Sequence, residues 1–353
     1  MSPVVLQAPF PYFGGKARAA DLVWQRFGLV ENYVEPFAGS AAMLLSAPSG
    51  KRVETINDAD GFVANFWRAV AHDPELVAHH ADWPCSEVDL EARHAWLVNR
   101  AERLRWQLED PDFYCAKSAG WWVWGLCNWI GGGWCAGKGP HQTTGARLYD
   151  ARQLPHLSAG KGINRQIPHL GNAGQGINRQ IPHLGDAGRG INRQIPHLGD
   201  AGRGEHPRSV FIREWMAALA ERLRETRVTC GDWGRVVKES VTTGNGLTGL
   251  FLDPPYTKGK MDYAAGGVGT DLPMQVQAWC AAHGADEKLR IALCGHAGEH
   301  DALLAHGWSV GRWKARKGYA VSDEARANSA GETIWFSPHC LSLESAGLFG
   351  DAA

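Results

Sequence analysis

No run of about 18 consecutive apolar residues occurs in the sequence, so nothing in it reads as a helix that crosses a bilayer. The stretch MSPVVLQAPFPYFGGK lacks the basic cluster and apolar run of a signal peptide, and a cytoplasmic setting is expected. Eight cysteines (Cys85, Cys115, Cys127, Cys135, Cys230, Cys280, Cys294 and Cys340) include no C-x-x-C pair, which disfavours a zinc ribbon or a thioredoxin-type site and points to reduced thiols. The P-loop spacing G-x-x-x-x-G-K-[ST] is also missing, so the Gly-Gly-Lys near the start is not a nucleotide-phosphate loop. An overall basic excess is absent as well. With 36 Lys and Arg against 37 Asp and Glu, the chain cannot coat nucleic acid by bulk charge.

What is present is uneven. The 353 residues allow one large domain or two smaller ones, with ample length for a core. From Cys135 to Arg213 there are 11 Lys and Arg against 4 Asp and Glu, a net +7 that leaves −8 for the rest. Glycine (43) and tryptophan (16) are abundant, and Trp121, Trp122, Trp124, Trp129 and Trp134 crowd into fourteen residues.

The pattern predicts alternating strands and helices. Asn32 to Gly39 reads as a strand entering a glycine turn, followed by a helical run Ala41 to Ala47. A strand Val53 to Ile56 ends on Asn57 and Asp58, and Phe62, Phe66 and Val70 then recur at helical spacing. Such βαβα order predicts a parallel sheet with ligands at the carboxyl ends of its strands. Beyond a helix expected over Glu87 to Gln107 and the Trp cluster, a unit aligned on Arg-Gln-Ile/Leu-Pro-His-Leu repeats, with His156, His169, His183 and His197 spaced 13, 14 and 14 residues apart. A 14-residue unit with so little to bury falls short of the roughly 20 to 45 residues of ordinary solenoid units, which favours an exposed excursion over a small β-rich stack. Alternation resumes with a helix whose Ile212, Trp215, Met216, Leu219 and Leu223 share one face. Strands are then expected at Arg227 to Cys230, Leu250 to Leu252, Arg290 to Cys294, Trp308 to Lys314 and Thr333 to Ser337, with helices at Leu272 to Ala282 and near Ala302 to Ala305.

The sharpest chemical signal is LDPPY, Leu252 to Tyr256, closing an apolar strand. Two prolines make a rigid turn without N–H donors. Asp253 beside the Pro254 carbonyl forms an acceptor pair suited to an amino group, Pro255 stiffens the turn, and Tyr256 offers a face to a planar ring. The bland alternative is a strand-terminating turn.

These residues carry a resemblance. In family order, PYFGGK (Pro11 to Lys16), VEPFAGS (Val34 to Ser40), IND (Ile56 to Asp58), CGDW (Cys230 to Trp233), LDPPY and GETIWFSP (Gly331 to Pro338) resemble the motifs of Dam-like DNA adenine-N6 methyltransferases. The resemblance covers about 210 residues in two blocks. It implies an α/β, Rossmann-like, S-adenosylmethionine-dependent methyltransferase sheet interrupted by an inserted, mainly helical and loop-rich DNA-recognition region. The corresponding boundaries are catalytic blocks at 1–82 and 209–340, the insert at 83–208 with repeats at about 152–204, and a tail at 341–353.

The resemblance further implies that Glu35, Pro36, Phe37, Ala38 and Gly39 form the cofactor turn, with Ala41 where the family has a second glycine. Asp58 matches the ribose-binding acid, its alternative being a helix N-cap; Asp232 matches the adenine-side position. Tyr12, Gly14, Gly15 and Lys16 match the N-terminal cofactor-side motif, with Lys16 a partner for the cofactor carboxylate. The substrate implied is double-stranded DNA with the target adenine flipped out of the stack, with no metal and no membrane partner; a restriction–modification setting would add a cognate restriction enzyme. The acceptor pair also suits cytosine N4 or an RNA amine, and a catalytically idle DNA-binding protein is the rival from another class.

For DNA contact the candidates are Asn128, in a stretch loosely similar to the family's, the repeat arginines Arg165, Arg179, Arg193, Arg189 and Arg203, and a second patch of Arg312, Lys314, Arg316 and Lys317. The alternatives are a solvated, duplicated loop for the repeats and a charged edge strand for the patch. The repeat histidines are not expected to hold a metal, and the Trp cluster is expected to pack in a core rather than to stack on bases.

Overall fold

The computed structural model describes residues 6–10, 16–129, 134–135, 207–255, 271–312 and 332–342. The repeats, with their arginines and histidines, and Lys314, Arg316 and Lys317 lie outside the described residues, as do Tyr12, Gly14, Gly15 and Tyr256.

Seven strands form one sheet in the order β3-β2-β1-β4-β5-β7-β6. They are β1 (Asn32–Glu35), β2 (Val53–Asp58), β3 (Thr226–Cys230), β4 (Thr248–Leu252), β5 (Leu289–His296), β6 (Ser309–Arg312) and β7 (Glu332–Phe336). The first five in that order run parallel, and β7 is antiparallel to both β5 and β6. The chain works outward from β1 through β2 to β3 and then crosses back to β4 beside β1. That reversal opens a crevice at the carboxyl ends of β1 and β4, where open sheets of this kind bind ligands. This is a mixed α/β fold of the Rossmann-like methyltransferase type, as the motif order implies.

Helices cover both faces, so the central strands are buried throughout; every residue of β1 and β4 is buried. Alternate residues separate into two cores. Tyr33, Phe251, Ala292 and Cys294 face one side, while Val34, Leu250, Leu252, Ile291 and Leu293 face the other. The first side receives α1 (Ala20–Phe27), α3 (Gly61–His72), α4 (Pro74–Ala81), α7 (Ala116–Asn128) and α8 (Pro207–Leu223). The five α8 positions at helical spacing are all buried there. The second side receives α9 (Leu272–His283) through Val276 and Cys280.

Two local readings differ from the sequence expectation. The single helix expected over Glu87 to Gln107 is two, α5 (Glu87–Val98) and α6 (Ala101–Gln107). Asn99 ends the first by donating its side-chain amide to the Ala95 carbonyl, a local bond that competes with helix propagation. The helix expected near Ala302 is a 3-10 segment, Asp301–His306. Of the strand expected over Trp308 to Lys314, β6 covers Ser309–Arg312, and residues 313 and 314 lie outside the described residues.

The Trp cluster packs inward. Trp122, Trp124 and Trp134 are buried, and the indole N–H groups of Trp124 and Trp134 donate to the carbonyls of Trp83 and Trp122. Arg93 of α5 is buried with its guanidinium 4.2 Å from the Trp124 ring centroid and 5.0 Å from those of Trp83 and Trp121, an aromatic cage that accommodates the cation. Gly125 is required here, because a Cβ would run directly into the Trp134 indole.

Candidate active site

The site forms where the carboxyl ends of β1, β2, β3 and β4 come level, since Glu35 pairs in register with Ile56, Asp58 with Cys230, and Val34 with Leu250. Each of the four short motifs that follow these strands therefore reaches the same edge of the sheet.

The turn leaving β1 is held by its neighbours. Gly39 has φ 46° and Ala41 φ 49°, so an alanine adopts a left-handed conformation that ordinarily costs it roughly 1–2 kcal/mol. A short helix α2 (Ala42–Leu45) follows. Glu35, buried at the end of β1, accepts hydrogen bonds from the Tyr33 hydroxyl (3.0 Å) and the Leu44 N–H (3.2 Å), which anchors that helix. Burial raises the Glu35 carboxyl to about 8, against the pull of those two donors. The Pro36 carbonyl accepts from Asn57 Nδ2 (3.0 Å), and the Gly39 carbonyl accepts from the Trp67 indole (2.9 Å).

Asp58 sits half-buried at the end of β2. Its Oδ2 accepts from the Gly39 N–H at 2.9 Å and its Oδ1 from the Asp60 N–H at 2.8 Å. Burial, assisted by the Asp60 carboxylate, raises its pKa to about 7. The helix N-cap is Asp60, which accepts from the Phe62 N–H at 2.8 Å; Asp58 is left to face the turn.

Asp232, after β3, is exposed, and its Oδ1 accepts from the Gly234 N–H at 2.9 Å. Beside it Trp233 stacks on Phe37, with ring centroids 6.0 Å apart and planes 29° from parallel. Two residues that the motifs contained but sequence reasoning did not single out organise this edge. Trp233 supplies an aromatic face to the turn that leaves β1. Asn57 links three strand ends, since its Nδ2 donates to the Pro36 and Gly231 carbonyls (3.0 Å each) and its Oδ1 accepts from the Thr229 hydroxyl (2.9 Å). Their positions inside IND and CGDW were the available signal.

Asp253 follows β4 with its side chain one-fifth exposed, Pro254 is buried and Pro255 half-buried. The surprise is Lys16. Its buried ammonium lies 3.3 Å from Asp253 Oδ1 and 3.5 Å from Glu332 Oε1. Burial opposes its charge, yet the Asp253 and Glu332 carboxylates hold its pKa above that of an ordinary lysine. Lys16 is thus engaged by two carboxylates of the chain, one of them in the DPP turn.

Of the DNA-contact candidates, Asn128 ends α7 buried, its amide donated to the Trp124 carbonyl at 2.6 Å. Arg312 ends β6 at the edge of the sheet. Among the described residues no three His, Cys, Asp or Glu side chains gather into a metal site, and no described helix is long and apolar enough to cross a membrane.

No curated protein matches the chain. Residues 12–114 match the family model of the D12 class N6 adenine-specific DNA methyltransferase. The matched stretch includes Lys16, the turn after β1, Asn57 and Asp58, while Asp253 lies beyond it. The match indicates an adenine-specific DNA methyltransferase, with DNA as substrate and S-adenosylmethionine as the methyl donor that such a family implies.

Proposed function

We propose that the protein is a site-specific DNA adenine-N6 methyltransferase that acts on an adenine flipped out of the duplex. The observation that carries this reading is the adjacency of two turns: Asp253-Pro254 leaves β4 at the crevice edge, and the Glu35-to-Gly39 turn leaves the hydrogen-bonded neighbour β1 at the same edge.

The residues present fit S-adenosylmethionine. The left-handed Gly39 lets the backbone approach a ligand closely, Asp58 offers acceptors for ribose hydroxyls, and Phe37, Trp233 and Asp232 offer a face and an acceptor to an adenine ring. Tyr12 and Gly15 complete the proposed cofactor set. When bound, S-adenosylmethionine supplies an electrophilic methyl group on a positively charged sulfur.

The chain's part begins with the target amine, whose lone pair is delocalised into the ring and is a poor nucleophile. Hydrogen bonds from that amine to the Asp253 carboxylate and the Pro254 carbonyl draw it toward tetrahedral geometry and stabilise the positive charge that develops on nitrogen. Lys16, 3.3 Å from Asp253 Oδ1, holds the carboxylate in place for this. Tyr256 stacks on the base, which a duplex would otherwise withhold. Target recognition falls to the insert at 83–208, with phosphate contacts from Arg165, Arg179 and Arg193 and from the patch Arg312, Lys314, Arg316 and Lys317. A cytoplasmic enzyme of this kind in a restriction–modification system would be matched by a restriction enzyme of the same specificity.

Nucleoside analysis of DNA from cells that express the protein tests the reading. N6-methyldeoxyadenosine is expected for the wild type and none for Asp253→Ala, since loss of such an acceptor costs about a hundredfold or more. N4-methylcytosine, or no modified base from the wild type, would overturn it.

A further inference from the structure

The Lys16 ammonium is gripped from two strands. Asp253 reaches it from the end of β4, and Glu332, the first residue of β7, from the far side of β5. The Lys16 side chain is 3% exposed and that of Glu332 16%. An ammonium carries three donors and no acceptor, so a buried one needs several oxygens about it. Here two carboxylates divide one cation. Glu332 is fixed in this role by the sheet, because β7 is locked to β5 with Glu332 opposite His296. Among the described residues the other ionisable groups that face this cluster are Glu35 at the end of β1, His296 and, from inside β5, the buried Cys294. Nothing in the methyl-transfer reading uses Glu332, although it lies in the closing GETIWFSP motif.

We infer that Glu332 is a positioning residue for methyl transfer: by holding Lys16 toward β7 it sets how tightly Lys16 grips the Asp253 carboxylate. The inference rests on the reading of Asp253 as the acceptor for the target amine. Without the Glu332 charge, the ammonium is drawn closer to Asp253. A carboxylate drawn into a closer ion pair is a weaker acceptor for a neutral amine and leaves its place at the turn. A misplacement of about 1 Å at a reacting centre costs on the order of a hundredfold in rate.

The test uses the full-length protein with Glu332→Gln, which keeps the shape and removes the charge, and Glu332→Asp, which restores the charge. The Lys16 ammonium is followed by nitrogen-15 NMR at neutral pH, its signal assigned by its loss in Lys16→Met. In Glu332→Gln the signal should shift and exchange faster with water. With DNA, kcat should fall by about tenfold to a hundredfold while the Tm and the S-adenosylmethionine Kd stay close to wild type, and Glu332→Asp should regain most of the rate. An unmoved ammonium signal, a kcat within about twofold of wild type, or a kcat loss that merely parallels a fall in Tm would each overturn the inference. A wild type that makes no N6-methyladenine defeats the functional reading separately, and the ammonium signal then still decides whether Glu332 holds Lys16.

Discussion

The Asp58 carboxylate accepts a hydrogen bond from the Gly39 N–H at 2.9 Å and thereby ties the end of β2 to the turn that leaves β1. In the function proposed above, a group so placed serves the cofactor twice, by shaping the turn and by offering acceptors to the ribose. Asp58→Ala should weaken S-adenosylmethionine binding by roughly tenfold to a hundredfold, the range expected for losing hydrogen bonds to a charged group. Calorimetry checks this. Because the carboxyl titrates at about 7 and its ionised form is the better acceptor, wild-type affinity should tighten as pH rises through 7. Asp58→Asn should flatten that dependence, and an unchanged affinity in Asp58→Ala would refute the assignment.

Glu35 gives a prediction in stability. Its folded pKa of about 8 stands above the ordinary 4.5, so folding favours the protonated form. The stabilisation is fully present below the unfolded value and is lost as pH rises through 8. Glu35→Gln keeps an acceptor for Tyr33 and Leu44 without the ionisation. Its melting temperature should match wild type near pH 5 and exceed it near pH 9; equal melting curves at both would count against the burial argument.

Arg222 of α8 holds Glu54 of β2 through two hydrogen bonds, of 2.6 and 2.9 Å, and donates also to the Leu44 carbonyl. Burial alone would raise Glu54, but Arg222 and then Arg52 bring it below the ordinary carboxylate value. Arg222→Ala leaves a buried carboxylate with Arg52 as its remaining cation, a loss of about 3 kcal/mol in denaturant unfolding. A group with a depressed pKa contributes stability above its unfolded value and loses it as pH falls. The gap between variant and wild type should therefore narrow below about pH 4.

Gly125→Ala tests the packing of the Trp cluster. The added methyl group meets the Trp134 indole directly and should cost about 1–3 kcal/mol, read as a lower Tm. Gly50→Ala is the control, since its nearest neighbour would be an Arg52 side-chain atom at 3.7 Å. Equal Tm values for the two variants would place Trp134 away from α7.

Much of the crevice could be read before any coordinates because each chemical motif follows its strand at once. EPFAG closes β1, IND closes β2, CGDW follows β3 and DPP follows β4, and in a parallel sheet consecutive strand ends come level. Likewise the apolar face of α8 followed from helical period, a property of neighbours a few residues apart. Linear order does not say which charges become partners. Lys16 meets Glu332 because β7 inserts antiparallel beside β5, and that strand order is set by how the whole sheet buries its faces. The cage around Arg93 and the hub at Asn57 have the same origin. In each, a polar side chain took the partner that long-range packing brought within hydrogen-bonding or ring-contact distance, and short-range pattern carries no record of that partner.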